Sequence, residues 1–592
     1  MKFERRPMVS WFDIRILAKA GLKSVISSTF GNFADKREMQ AALKGDLETD
    51  YSTNPDIWVD FIADLGDGFD STYTMASLLA CKELDVNGEL LPRANILIMG
   101  GDQVYAMPSK EEYDNRMKGP YTAAFPKIPG QPKAGPTDLD QTTDLQLITN
   151  EETKINPHLY ALPGNHDWYD GLGNFLKIFC QHRFIGNWQT QQSRSYFALK
   201  LPANHWIWAI DVQLHSDIDQ PQLDYFKNIV QKNMEEGATI ILCTAEPAWV
   251  SLALNVKDET FTRLKYFFKD YILLTDKKIR LVATLTGDLH HYSRYEDSMI
   301  EKRRAGVHQL ITSGGGGSFL HPTHILKEKI VFKDELSAKL KTVYPSKKMS
   351  RLLAFRNLLF PFYNPAMTFF IGLFFLYTAW MLQSSTVYTT DKSFMDQVAI
   401  YKFSLTHIGD FWLTIMKCLR HNPSVLILHF IFIGGLLGFA DSNSGPFKKY
   451  LIGGVHALFQ LASFYFLFWL FARINIHYLH MEVAQVGEIL LSSAEFIIIG
   501  GFVSAFIFGI YLLVSILLFN LHPTEAFSSF RWTGYKNFLR IHISEKGVTI
   551  YPIGVKKAVR NWKNVGTEEE PRFEGDKIKY ELIEDPIHIP AQ

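Results

Sequence analysis

Up to residue 335 the apolar runs are short and stop abruptly at polar residues. They are Trp58-Val-Asp-Phe-Ile-Ala-Asp64, Ala94-Asn-Ile-Leu-Ile-Met-Gly-Gly101, Tyr160-Ala-Leu-Pro-Gly164 and Ile279-Arg-Leu-Val-Ala-Thr-Leu-Thr-Gly287. Runs of this length bounded by Gly and Asp predict strands. Ser195 to Leu201 and Trp206 to Ile210 are predicted strands too, and a helix is predicted from near Ser71. Residues 106 to 155, rich in Pro, Gly, Lys, Thr and Asp, read as a long surface insertion, either a selectivity loop or plain solvated chain. From residue 359 the pattern changes. Pro365 to Leu382, Pro423 to Ala440, Leu451 to Phe471 and Phe496 to Phe519 are apolar runs of spanning length, which predicts four transmembrane helices. Phe411 to Met416 is apolar but too short to span, and is expected at the interface. Beyond them, Lys536 to Ile543 and Val548 to Ile553 predict a β-hairpin with Gly547 in its turn. Met8 to Phe33 mixes aromatic and aliphatic residues with Arg and Lys at partly helical spacing; it fits a helix docked on the preceding fold or one lying on a membrane surface.

Each of the four strand-like runs ends in chemistry. The first gives Asp64, the second Gly101-Asp102-Gln-Val-Tyr105, the third Gly164-Asn165-His166-Asp167 and the fourth Asp288-Leu-His290-His291. In an α/β sheet, ligands bind beyond the carboxyl ends of the strands, so four such ends point to one place. Carboxylate, amide oxygen, phenol and imidazole together suit divalent first-row metals such as zinc, manganese or iron. Tyr105 reads equally as a ligand or as a packing aromatic. Asp211 reads as a turn or cap carboxylate. Gly314-Gly-Gly-Gly317-Ser318 allows a close backbone approach, and His321 and His324 follow it.

The order Asp64, Gly-Asp102, Gly-Asn165-His166-Asp167 and Gly-x-x-His290 resembles the calcineurin-like metallophosphoesterase superfamily. Asp64-Leu-Gly with Gly101-Asp102-Gln-Val-Tyr105 is similar to its purple acid phosphatase branch, and so is Gly287-Asp-Leu-His-His-Tyr-Ser-Arg294. The resemblance, over about residues 56 to 320, implies an α/β sandwich of mixed sheets flanked by helices. It implies two divalent or mixed-valence metal ions drawn from Mn, Fe, Mg and Zn. Asp102 would bridge them, Asp64, Tyr105 and His290 would complete the first, and Asn165 and Asp288 the second. It implies a phosphoester hydrolase in which hydroxide on the metals attacks phosphorus while His166, oriented by Asp167, protonates the leaving oxygen. Two departures stand out: Ala245 occupies the place of an isolated His, and Asp288 replaces the first His of the last motif. His321 and His324 are candidates to replace a missing ligand. A second reading follows from these departures, a catalytically degraded domain that binds or regulates.

Composition adjusts this picture little. The 592 residues carry a formal net charge of +0, which gives no argument for a nucleic-acid partner. The four Cys lack metal-type spacing, so a reducing compartment is expected for the soluble part. No cleavable signal is read at the N-terminus. Lys339, Lys341, Lys347, Lys348, Arg351 and Arg356 precede the first span, a bias toward the cytoplasmic side, and four spans return the C-terminus there. The expected organisation is 1–55, a helical extension; 56–335, the phosphoesterase domain; 336–358, a basic juxtamembrane linker; 359–520, a transmembrane bundle in contact with lipid; and 521–592, the hairpin and tail. A multi-pass membrane phosphoesterase facing the cytoplasm is the expectation, with its phosphoester unidentified.

Overall fold

The computed structural model describes residues 2–19, 40, 47, 49–127, 156–212, 218–254, 259–267, 277–298, 308–333, 336–384, 392–402, 404–440 and 446–591. The chain forms two compact units. One comprises Met1–Val9, Ala18–Ser350 and Arg531–Gln592, the other Ser10–Leu17 and Arg351–Phe530.

The first unit contains two mixed sheets. In one, Asp56–Ile62, Ile96–Met99 and His158–Ala161 run parallel with Val59, Ile96 and His158 side by side, so their carboxyl ends finish level. In the other, His205–Ala209, Thr239–Thr244, Arg280–Thr286 and His308–Ser313 are parallel neighbours. Alternation explains how the sheets pack. Ile57, Val59 and Phe61 share one buried cluster with Ile207, Ile241, Ala283 and Ile311, which closes the sheets face to face. On the outer face of the first sheet, Ile62 and Leu97 pack with Leu78 and Leu79 of the helix Phe69–Ala80. On the outer face of the second, Ile240 and Leu242 pack with Phe226 of Gln220–Lys232. This is an α/β arrangement of mixed sheets with flanking helices.

The hairpin Lys536–Ser544 and Gly547–Val555 is present, with Gly547 at φ +116°. It does not sit apart from the first unit. Lys536–Ser544 pairs antiparallel with Asp56–Ile62, from Leu539 opposite Phe61 to Ser544 opposite Asp56. At the centre of this pairing Asp60 points to the outer face, where a lone carboxylate would be costly. Arg540, directly opposite, closes on it with Nε–Oδ1 at 2.9 Å and Nη2–Oδ2 at 2.8 Å. The two side chains are 0% and 2% exposed.

The region predicted as a surface insertion begins as structure. Lys110–Tyr113, Asp114–Lys118 and Gly119–Ala124 are helical, and Tyr113 and Tyr121 are fully buried among the outer cluster of the first sheet. Residues 128–155 of that stretch lie outside the described residues, as do residues 20–33 of the predicted N-terminal helix.

The second unit is helical. Pro365–Ser384, Phe447–Tyr478 and Val486–Phe519 are long and apolar enough to cross a membrane. The fourth expected span is different: His407–His421 and Pro423–Phe439 form a pair bent by 104°, and reach spanning length only together. Phe411 to Met416 is part of the first of these helices. The last long helix starts ten residues before the expected Phe496 and so includes Glu488 and Glu495. Asn475 donates to Glu495 at 2.8 Å and Ser492 to Glu488 at 2.5 Å, so both carboxylates are partnered. His429 faces the Tyr465 hydroxyl at 2.8 Å and His456 faces Gln460 at 3.1 Å, hydrogen bonds between neighbours. A Cβ on Gly372 would lie 2.2 Å from the Ile497 carbonyl, the close helix approach that small residues permit. Phe12 stacks edge-on with Phe360 and Phe508 within this unit.

Removing one member of the Asp60–Arg540 pair leaves a buried charge without a partner. Arg540→Met is expected to destabilise the detergent-solubilised protein by about 3–5 kcal/mol, with Asp60→Leu in the same chain recovering most of it. Unfolding of the two single variants and the double variant checks this, and purely additive losses would contradict it.

Candidate metal centre

Level strand ends place the polar residues, and the backbone there is unusual. Asp64, Asp102 and Asp288 each adopt positive φ, at 60°, 50° and 64°. Left-handed backbone costs a non-glycine residue about 1 kcal/mol or more, and Asp is among the residues that tolerate it best. The three stand at three converging loops, where strained backbone of this kind tends to collect at sites of function. The loops also bond one another: Asp64 N–H donates to the Gly101 carbonyl at 3.0 Å and Leu65 N–H to the Asp102 carbonyl at 3.0 Å. The carboxylates lie directly on neighbouring backbone. A Cβ on Gly164 would sit 2.1 Å from Asp102 Oδ1, and one on Gly314 would sit 2.4 Å from Asp64 Oδ2.

Four expected ligands meet at the Tyr105 hydroxyl. It lies 3.0 Å from Asp64 Oδ1, 3.1 Å from Asp102 Oδ2 and 3.0 Å from His290 Nε2. His290 Nδ1 faces the Phe319 carbonyl at 2.8 Å, which holds the proton there and turns the Nε2 lone pair toward the cluster. Asp288 joins through its N–H, 3.2 Å from Asp64 Oδ1. One phenolic proton therefore serves three acceptors. Asp64 Oδ2 and Asn165 Oδ1 are buried with no hydrogen-bond partner. Burial, then the charges of Asp102 and Asp288, raise the Asp64 pKa. Burial, then Asp102, pushes Asp288 up to about 7.

A surplus of buried acceptors and negative charge is what a cation relieves, so the donor set fits a divalent metal. Among the described residues, however, no three His, Cys, Asp or Glu side chains are grouped closely enough to hold one.

His166 and Asp167 part company. The His166 N–H donates to Asp102 Oδ1 at 2.9 Å, and its Nδ1 faces the Ala106 carbonyl at 2.9 Å. Asp167 was expected to orient His166. Instead its carboxylate turns inward and accepts from Gly164 N–H at 2.9 Å, Gln103 N–H at 3.2 Å and the Tyr113 hydroxyl. Both residues lie in the helical turn Asn165–Trp168, where consecutive side chains diverge. As third residue of that turn, Asp167 reaches back to the Gly164 N–H as a capping carboxylate does. Burial, then Asp102, pushes its pKa up to about 8. Asp167 thus positions the loop, and the Ala106 carbonyl holds the imidazole.

The remaining motif residues are accounted for. Ala245 is buried, and its carbonyl accepts from Gly287 N–H at 3.0 Å. The His321 ring stacks on His290, centroids 4.0 Å apart, and His324 Nδ1 faces Ser350 Oγ at 2.8 Å. Tyr292 and Arg294 both bond Glu584 in the C-terminal tail. Asp211 accepts from Trp168 Nε1 at 3.0 Å and from Ser195 Oγ at 2.6 Å, a strut under the Asn165–Trp168 turn.

Two residues near the site carried no local sequence signal. Lys536, fully buried, donates to the Ser318 carbonyl, and burial pushes its pKa down to about 7. Asn537 binds Ser313 Oγ through its side chain at 2.8 Å and the Gly315 carbonyl through its N–H at 3.1 Å. Both residues begin the strand that follows the helical unit. Asp67 ties the N-terminal segment to the same loop, accepting from Val9 N–H at 2.7 Å and Phe319 N–H at 3.3 Å.

No protein-family model matches the sequence, and no curated protein does. Among solved structures, one of PhoD aligns over 46% of this chain and 59% of its own, with 10% identity and a TM-score of 0.25. The chain thus spans under two thirds of that protein's length, and a superposition this slight carries neither fold nor activity across.

Proposed function

We propose that the protein is a membrane-anchored, metal-dependent phosphoester hydrolase. The observation that carries this reading is the convergence of Asp64, Asp102 and His290 on the Tyr105 hydroxyl, with buried oxygens of Asp64 and Asn165 left unpartnered. Asp64, Asp102, Tyr105 and His290 would hold one metal, and Asn165 and Asp288 would contribute to a second, with Asp102 shared. Such ions, of Mn, Fe, Mg or Zn, supply Lewis-acid polarisation of a phosphoryl oxygen and lower the pKa of water. The chain's own residues do the rest. Phe319 fixes the His290 tautomer, Asp167 locks the Gly164 turn against the Gln103 loop, and His166, held through Nδ1 by Ala106, presents Nε2, which in the imidazolium form would give its proton to the leaving oxygen.

A second reading, a degraded domain that binds without turnover, is favoured by Ala245 and Asp288 standing where the resembled family has imidazoles. Assay of the purified protein on monoester and diester model substrates, with elemental analysis, separates the two. Metal without turnover on any phosphoester would favour the second.

The membrane reading rests on the apolar helices and on connectivity. Asp56–Ile62 and Lys536–Ser544 share a sheet, so chain leaving the first unit at Ser350 returns to it at Arg531. Any membrane passage in between consists of an even number of crossings. Three long helices alone give an odd count, which favours the bent pair His407–His421 and Pro423–Phe439 as the fourth crossing. The basic residues before Asn364 favour the cytoplasmic side for both flanks.

Asp102→Asn is expected to lower hydrolysis by at least about a hundredfold and to reduce metal content, because a shared ligand loses its charge; normal turnover would remove the catalytic assignment. His166→Ala is expected to slow alkyl phosphoesters far more than activated aryl ones, since only poor leaving groups need a proton. Equal losses would make His166 a phosphate contact only. Tags before residue 350 and after residue 560 are expected to be protected from external protease in intact cells while a tag following Ser384 is cut; protection of only one of the two flanking tags would break the parity argument.

A further inference from the structure

The helical stretch Lys347–Ala354, Phe355–Leu359 and Phe360–Tyr363 leads, through Asn364, into the long helix Pro365–Ser384. Its exposed positions are Lys348, Arg351, Leu352, Phe355, Leu359 and Phe362, and its buried ones include Ser350, Leu353, Ala354, Asn357, Phe360 and Pro361. Both sets recur at helical spacing, so this is one exposed face and one packed face. The chemistry of the exposed face is inverted for water. Leu352 is 62% exposed, Phe355 51%, Leu359 45% and Phe362 68%. These four run about 15 Å along the helix.

The two cations stand together at the end of the stripe away from the span. Among the described residues neither Lys348 nor Arg351 makes an ion pair or side-chain hydrogen bond, whereas Lys347 pairs with Glu328 and Arg356 bonds the Tyr363 hydroxyl. No Asp or Glu occurs anywhere from residue 336 to residue 390, so nothing in that stretch neutralises them. An apolar stripe continuous with a span, headed by unneutralised cations, has the composition of a helix lying at the boundary between acyl chains and headgroups.

We propose that residues 347–363 form a docking surface for anionic phospholipid, with Leu352, Phe355, Leu359 and Phe362 in the acyl boundary and Lys348 and Arg351 on lipid phosphate. Ser350 Oγ, on the packed face, accepts from Thr323 N–H at 3.0 Å and faces His324 at 2.8 Å; His321, two residues before Thr323, stacks on His290. The proposal rests on the membrane reading above, and the test separates the two.

The full chain reconstituted in phosphatidylcholine nanodiscs is titrated with phosphatidylglycerol and followed by native mass spectrometry. Lys348→Gln with Arg351→Gln is expected to weaken phosphatidylglycerol binding by about fivefold per charge removed and to leave phosphatidylcholine unaffected. A photoreactive benzoylphenylalanine replacing Phe355 is expected to crosslink to lipid. Equal binding of both lipids, unchanged in the double variant, or a crosslink from position 355 to a second copy of the chain, would overturn the proposal. Release of the unmodified protein from membranes by alkaline carbonate would instead sink the membrane reading itself.

Discussion

The pairing of Asp56–Ile62 with Lys536–Ser544 is the constraint on which the first unit depends. Its specificity lies in Arg540 opposite Asp60. A slip of one residue would move Arg540 to the face where Leu539 and Ile541 now meet the second sheet, and bury a guanidinium in hydrocarbon. A buried ion pair adds little net stability over well-packed apolar residues, but it forbids the neighbouring registers. The consequence reaches the candidate centre, because the same strand begins with Lys536 and Asn537 under the Gly314–Ser318 loop.

The centre is built largely from backbone. Loops after parallel strands hydrogen-bond to one another, and glycines leave no side-chain volume between them. Carboxylates therefore sit against main chain, where only short residues tolerant of left-handed geometry fit. This gives a rigid cradle with fixed oxygens, the kind of support that orients metal ligands. Tyr105 is held at its middle by three acceptors.

What the sequence made legible was local. A strand that ends in Asp or His announces itself within ten residues, so Asp64, Asp102, Asn165 and His290 could be singled out, along with the hairpin and the apolar helices. Adjacency misled at His166 and Asp167, since neighbours in a helical turn point apart. Hydropathy windows misjudged the helical unit for a related reason. Glu488 and Glu495 look like a boundary until Ser492 and Asn475 are seen to partner them, and the polar residues of His407–His421 conceal its continuity with a bent neighbour. Asp60, a charge inside an apolar run, needs a partner once it is buried. Its identity, 480 positions away, was beyond any local pattern.

The late arrival of Lys536 has a consequence in time. A ribosome adds about 5–20 residues per second, so on the order of ten to forty seconds separate the synthesis of Ser350 from that of Arg540. Through that interval the edge of Asp56–Ile62 stays unpaired and Asp60 uncompensated while the apolar helices emerge, a period in which a nascent sheet is open to wrong partners. A chain that stops short of Lys536 carries every candidate ligand but lacks the Lys536 and Asn537 contacts that brace the Gly314–Ser318 loop.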